Sequence, residues 1–113
     1  MEKIVEQGLL YDYYGELLTE HQKKIYEDAV YQDLSLSEIA EEAGISRQGV
    51  HDLIKRCDKI LQEYEDKLHL VAKANAAKLK AEEICKLSSD ENENSITRMK
   101  RIHDLSKSLM EEL

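Results

Sequence analysis

Apolar residues recur at steps of three and four along most of this chain, the period of helices that each bury one face. Leu9, Leu10, Tyr13, Tyr14, Leu17 and Leu18 predict a first helix over about Glu2–Glu16, with a stripe too wide for a solvated tail. Gly8 and Gly15 weaken it. Thr19 then opens TEHQ, in which the threonine hydroxyl caps the amide of Gln22 while the glutamine side chain reaches back. Ile25, Tyr26, Ala29 and Val30 supply the buried face of a second helix over about Glu20–Tyr31.

The stretch LSLSEIAEEAGISRQGVHDLIKR, residues 34–56, is punctuated more sharply. Ser35 and Glu38 form a capping box, and Leu34 and Ile39 are placed as a hydrophobic staple around it. Gly44 suits the left-handed residue that closes a helix, and Ser46 caps the next, with Ile45 and Val50 as a second staple. Two helices joined by about three residues around a glycine make a helix-turn-helix, whose second helix lies in the major groove of DNA.

Beyond the turn, Val50, Ile54, Cys57, Leu61, Tyr64, Leu68 and Val71 alternate steps of four and three, a heptad seam. After Leu68 the spacing changes to Ala72, Ala76 and Leu79, so coiled packing should change its winding or end there. Helix running unbroken from Arg47 to Leu87 would reach roughly 60 Å at about 1.5 Å per residue; a break between Leu68 and Lys73 is the alternative. SSDENENS, residues 88–95, reads as a linker, followed by a last stripe of Ile96, Met99, Ile102, Leu105, Leu109 and Leu113. The expected organisation is an all-α helix-turn-helix domain over 1–87, with an N-terminal helix and a long helical extension, then a linker and C-terminal helix over 88–113. Seam and stripe together ask for more apolar partners than so thin a chain supplies, which predicts a homodimer.

Composition narrows the functions. Among 113 residues 35% are charged, Pro, Phe and Trp are absent and Gly occurs four times, which favours long helices and leaves little room for a multi-step enzyme. No apolar run approaches the ~20 residues of a bilayer span, and the acids of the first residues do not suit a secretory signal; the expectation is a cytoplasmic protein without membrane insertion. Cys57 and Cys85 lack a CxxC spacing, and His21, His51, His69 and His103 are scattered without a ligand three or four residues away, so no metal or cofactor is expected. Tyr11, Tyr13 and Tyr14 are assigned to the interface between the first helix and the helix-turn-helix rather than to RNA bases.

Recognition chemistry falls on the helix opened by Ser46. With Val50, Leu53, Ile54 and Cys57 inward, Arg47, Gln48, His51, Asp52 and Lys55 point out. Arg47 can donate two bonds to guanine and Gln48 can pair with adenine, while Lys55 and Arg56 reach phosphate or guanine. Asp52 can accept from cytosine or orient Arg56. Ser46 and the first amides make a phosphate contact, and Gly49 suits a close approach to another helix or backbone. The net charge of -8 opposes DNA. Yet Arg47, Lys55 and Arg56 against Asp52 make the segment 47–56 locally positive, and screening over about 8–10 Å lets the local surface decide contact. What the acidic remainder suppresses is non-specific affinity.

LLTEHQKKIYED and DLSLSEIAEEAGISRQGVHDLIKRCDKILQEYEDKLHL, with YYGELLT and the YEDKLHL ending, resemble the bacterial YlxM (UPF0122) family from about Tyr11 to Leu70. SLSEIAEEAGISRQGV is also similar to region 4 of sigma factors, which reads promoter DNA; Gly49 and His51 stand where that likeness would place Ala and an aromatic residue. The resemblance implies an all-helical, sigma-region-4-like helix-turn-helix and a gene commonly beside those of the signal recognition particle and its receptor. The function it points to is sequence-specific DNA binding in transcriptional regulation linked to that pathway, with Ser46, Arg47, Gln48, His51, Lys55 and Arg56 as contacts. The alternative is an accessory that binds the particle's protein or RNA and uses the helix-turn-helix as a scaffold.

Overall fold

The computed structural model describes residues 2–89 and 94–112, so residues 90–93 of the expected linker and Leu113 of the final stripe lie outside the described residues. Among the described residues the chain is all α, without strands: α1 (Lys3–Tyr14), α2 (Glu20–Val30), α3 (Leu36–Ala43), α4 (Arg47–Leu68), α5 (Leu70–Ser89) and α6 (Ser95–Glu112). A single 3-10 turn, Gly15–Leu17, follows α1. The chain divides into two compact units, Met1–Val71 and Ala72–Leu113. No helix among the described residues is long and apolar enough to cross a membrane.

In the first unit, α4 is the spine on which α1, α2 and α3 pack. Its seam joins two clusters: Val50 packs with Ile25, Ile39 and Ala40, whereas Cys57 and Leu61 pack with Leu10, Tyr14, Leu18 and Tyr26. Leu53 and Ile54 lie against both. The seam therefore finds partners within its own chain, and that part of the expectation of a second copy falls away. Of its expected members only Leu68 stands out of the packing, 47% exposed, while Val71 beyond it packs on the second cluster. The tyrosines of α1 fill the interface: Tyr11 stacks on Tyr26 of α2, and Tyr14 on Tyr64 of α4. Gly15 has a packing reason, because a Cβ there would stand 2.8 Å from the Tyr11 ring.

Between the two sequence alternatives for the long helix, the break holds. His69 takes a left-handed conformation, φ 56° and ψ 29°, and separates α4 from α5. Such a backbone costs a residue with a side chain roughly 1–2 kcal/mol. Hydrogen bonds from α1 and α4 offset it. Tyr14 Oη donates to Glu65 Oε1 at 2.5 Å and accepts from the Leu70 amide at 3.1 Å, while the Val71 amide donates to the same carboxylate at 3.0 Å. The first amides of α5, which have no helical partner, are satisfied from α1 and α4.

Phenols and carboxylates also set how the first unit responds to alkali. Burial, reinforced by the Asp58 carboxylate, pushes the Cys57 thiol from 9.0 up to about 11, and burial with the Asp12 hydrogen bond pushes Tyr31 from 10.0 up to about 12. Tyr26 moves in the same direction through burial and its bond to Asp58. Each acid is held protonated in the folded state, so its contribution is complete below the unfolded value and disappears as pH rises through the folded one. The thermal midpoint should stay level to about pH 9 and decline between there and about pH 12. Melts followed by circular dichroism check this; a midpoint unchanged at pH 11 contradicts it.

In the second unit, Lys80 of α5 donates to Ser108 Oγ at 2.8 Å and pairs with Glu112, and Arg101 of α6 pairs with Glu83 at 3.1 Å. The Asn94 side chain accepts from the Ile96 amide at 2.9 Å and caps α6. Of the expected apolar stripe, Leu105 is buried and Ile102 and Leu109 are half-buried, whereas Ile96 and Met99 remain exposed.

Candidate nucleic-acid interface

The helix-turn-helix is built by local rules that its residues obey one after another. Ser35 Oγ accepts from the Glu38 amide at 3.1 Å and the Glu38 carboxylate returns to the Ser35 amide at 3.2 Å, so α3 starts on a complete capping box. At its far end Gly44 adopts φ 71° and ψ 29°, and the amides of Gly44 and Ile45 both return to the Ala40 carbonyl, at 3.0 and 3.2 Å. A side chain at that φ is strained, which is why glycine ends this helix. Ser46 then caps α4, its Oγ accepting from the Gly49 amide at 2.9 Å. Leu34, Ile39, Ile45 and Val50, the residues of both staples, share one apolar cluster that fixes α3 against α4.

Around α4 the expected contacts are distributed unevenly. Ser46, Arg47, Gln48, Lys55 and Arg56 are exposed and His51 is half-buried. At about 100° per residue, Gln48 and Lys55 share the centre of the outward face, with Arg47 and His51 along one edge and Arg56 along the other. Arg47, Gln48 and His51 come together with Leu36 of α3 around a depression of about 490 Å³. Lys55 instead opens on a second depression, of about 440 Å³, shared with Lys3 of α1 and Lys59 of α4. Lys59 escaped the sequence reading, although it continues the Gln48–Lys55 face by one more turn. Lys3 could not be read from spacing, because only the packing of α1 on α4 brings it there.

Hydrogen bonding on this face departs from the sequence reading in two places. Asp52 accepts from Gln48 Nε2 at 2.9 Å, one turn before it, instead of orienting Arg56 one turn after. Both are four-residue neighbours of Asp52 on the helix, and Gln48 is the one that bonds it. Gln48 keeps the second hydrogen of Nε2 and its Oε1 for an adenine edge while Asp52 holds the first. Gly49 meets neither another helix nor another backbone: the atoms nearest to a Cβ there are Ser46 Oγ at 3.1 Å and Ile45 Cδ1 at 3.9 Å, so the expected close approach is not what this glycine serves. Among the described residues His51 Nδ1 is buried without a hydrogen-bond partner, and it lies 3.6 Å from Asp52 Oδ1, too far for a bond.

One carboxylate, Asp52, stands exposed on this face beside Gln48 and Lys55. Of the three acids that α3 brings beside the turn, Glu38 is engaged by the Ser35 cap and Glu42 lies 3.8 Å from Lys24. Among the described residues, no group of three or more His, Cys, Asp or Glu side chains could hold a metal ion. What the surface offers is an arginine fork, amide and imidazole donors, and point charges along one exposed helix, which is the chemistry of base edges and phosphate.

A family model described as "Putative helix-turn-helix protein, YlxM / p13 like" matches residues 1–108. The match reaches well beyond the Tyr11–Leu70 stretch that carries the resemblance in the sequence. A UPF0122 protein of Clostridium novyi is 50% identical over 84 residues, covering 74% of this chain and 72% of the relative. One from Clostridium kluyveri is 52% identical over 71 residues, 63% of this chain and 64% of that protein. One from Acetivibrio thermocellus is 49% identical over 86 residues, 76% of this chain and 74% of the relative.

Proposed function

The chain belongs to the YlxM / p13-like family of helix-turn-helix proteins, and from that premise we propose that it binds DNA sequence-specifically through α4 and regulates transcription. The observation that carries the reading is the first two turns of α4: Ser46 caps the helix, Val50 is fully buried against α3, and Arg47 and Gln48 stand exposed beside His51. Arg47 serves as the guanine reader, Gln48 as the adenine reader and His51 as a further base-edge donor. Ser46, Lys55 and Arg56 serve the backbone. A regulatory link to genes of the signal recognition particle rests on the gene neighbourhood implied by the resemblance, and a cytoplasmic location accords with it.

Two copies acting as a homodimer would present two such helices to half-sites one helical turn apart, about 34–36 Å. Leu79 of α5 and Ile96, Met99 and Met110 of α6 are the most exposed large apolar side chains among the described residues, and they are the ones we assign to the contact. Sedimentation, giving the mass in solution, tests this part.

The binding reading is tested by titrating duplex DNA from upstream of the protein's own gene, unrelated duplex, the particle's RNA and its protein component, each across a range of salt. The upstream duplex should bind most tightly. Lys55→Ala should lower affinity evenly across sequences and reduce the slope of log affinity against log salt by about one. Binding confined to the particle's RNA or protein would overturn the DNA reading.

A further inference from the structure

Gln7 of α1 hydrogen-bonds across to Asp58 of α4, and Tyr14 to Glu65, so α1 runs parallel to the second half of α4 with a groove between them. Three lysines line this groove, Lys3, Lys55 and Lys59, with Glu6 and Asp58 as its acids. The two acids are not equivalent. Asp58 is turned toward the core, where Oδ1 accepts from Tyr26 Oη at 2.5 Å and from Gln7 Nε2 at 2.9 Å. Glu6 is exposed. None of the three lysines forms an ion pair among the described residues. In a chain of net charge -8 the groove is a positive patch continuous with the outward face of α4.

Geometry says what the patch meets when the first turns of α4 lie on base edges. Lys59 follows Gln48 by eleven residues on the same face, roughly 16 Å farther along the axis at about 1.5 Å per residue. The major groove is only about 12 Å wide. A side chain that far from the reading end has passed the base edges and stands at the sugar-phosphate wall, where an ammonium finds phosphate oxygens.

We infer that the α1–α4 groove is a phosphate-backbone clamp of the bound DNA, in which Lys3 and Lys59 join Lys55 to hold the strand flanking the bases read by α4. This rests on the DNA-binding reading and adds a surface to it. The clamp carries no sequence information and fixes how deeply α4 enters. It also lets an acidic chain approach DNA at a local positive site.

The test uses the full chain and two short duplexes, one from upstream of its own gene and one of shuffled sequence, titrated from low to physiological salt. Replacing both residues, Lys3→Ala with Lys59→Ala, should reduce the salt slope by about two, about one for each lost phosphate contact. The affinity ratio between the two duplexes should not change. Lys59→Arg should keep the slope, and Lys107→Ala on α6 should leave it untouched. If the unaltered protein binds and the double variant keeps the full slope, the clamp is wrong while the DNA reading stands. A changed ratio between the duplexes likewise overturns the clamp, because it assigns the lysines to base reading. No binding of either duplex by the unaltered protein removes both.

Discussion

Replacing Tyr26 with alanine is expected to cost the first unit about 3–5 kcal/mol, the range for deleting a buried aromatic ring. The side chain has no exposed surface. Its ring stacks on Tyr11 at a centroid distance of 5.6 Å and touches the cluster of Leu10, Tyr14, Leu18, Cys57 and Leu61. Its hydroxyl donates to Asp58 Oδ1 at 2.5 Å, so truncation opens a cavity and takes one donor from a half-buried carboxylate. At roughly 0.05–0.15 kcal/mol per residue, a unit of some seventy residues has roughly 4–10 kcal/mol in total, and the substitution removes much of it. Tyr26→Phe separates the two effects: it keeps the ring and loses a hydrogen bond to a charged acceptor, worth about 1.5–3 kcal/mol. Urea titrations of the two variants supply the numbers. If alanine costs no more than phenylalanine, the ring is not the keystone of this cluster.

For recognition, Arg47→Ala should have the largest effect, about 1–3 kcal/mol, or roughly 5- to 150-fold in affinity for the preferred duplex. Arg47 is the first residue of α4, exposed and placed with Gln48 and His51 around one depression. Its fork of donors matches the two acceptors on the major-groove edge of guanine. Losing it should therefore relax discrimination at one base pair more than it weakens binding to unrelated DNA. Arg47→Lys should recover the charge and not the discrimination, because an ammonium is a point charge without the planar fork. Competition among duplexes substituted one base pair at a time reads this directly. A variant that weakens binding equally on every duplex would move Arg47 from base reading to phosphate.

The helix-turn-helix was open to sequence reading because its instructions are local. A serine with a glutamate three residues on, a glycine that tolerates positive φ, and a second serine act within one turn, and Ser35, Gly44 and Ser46 take the conformations that spacing alone assigns. The break at His69 was legible only as a region. Histidine carries no strong preference for a left-handed backbone, and the hydrogen bond that holds the next amide comes from Tyr14, 56 positions from Leu70. The pairings of Tyr26 with Asp58 and Tyr31 with Asp12 were equally hidden, since each joins helices whose register is a tertiary fact. At the candidate site, periodicity identified which residues face outward. It named Arg56, where the structure has Gln48, as the side-chain partner of Asp52, and it could not bring Lys3 beside Lys59.

The placement of the tyrosines has a practical consequence for spectroscopy. With no tryptophan and no phenylalanine in the chain, six phenol rings carry its near-ultraviolet signal, and all six, from Tyr11 to Tyr64, precede residue 72. The described residues of the unit Ala72–Leu113 are mostly helical, and that unit is optically silent in this band. Far-ultraviolet ellipticity, by contrast, sums over every helix. Recording both bands during one melt therefore distinguishes concerted from stepwise loss of the two units without attaching a label to either.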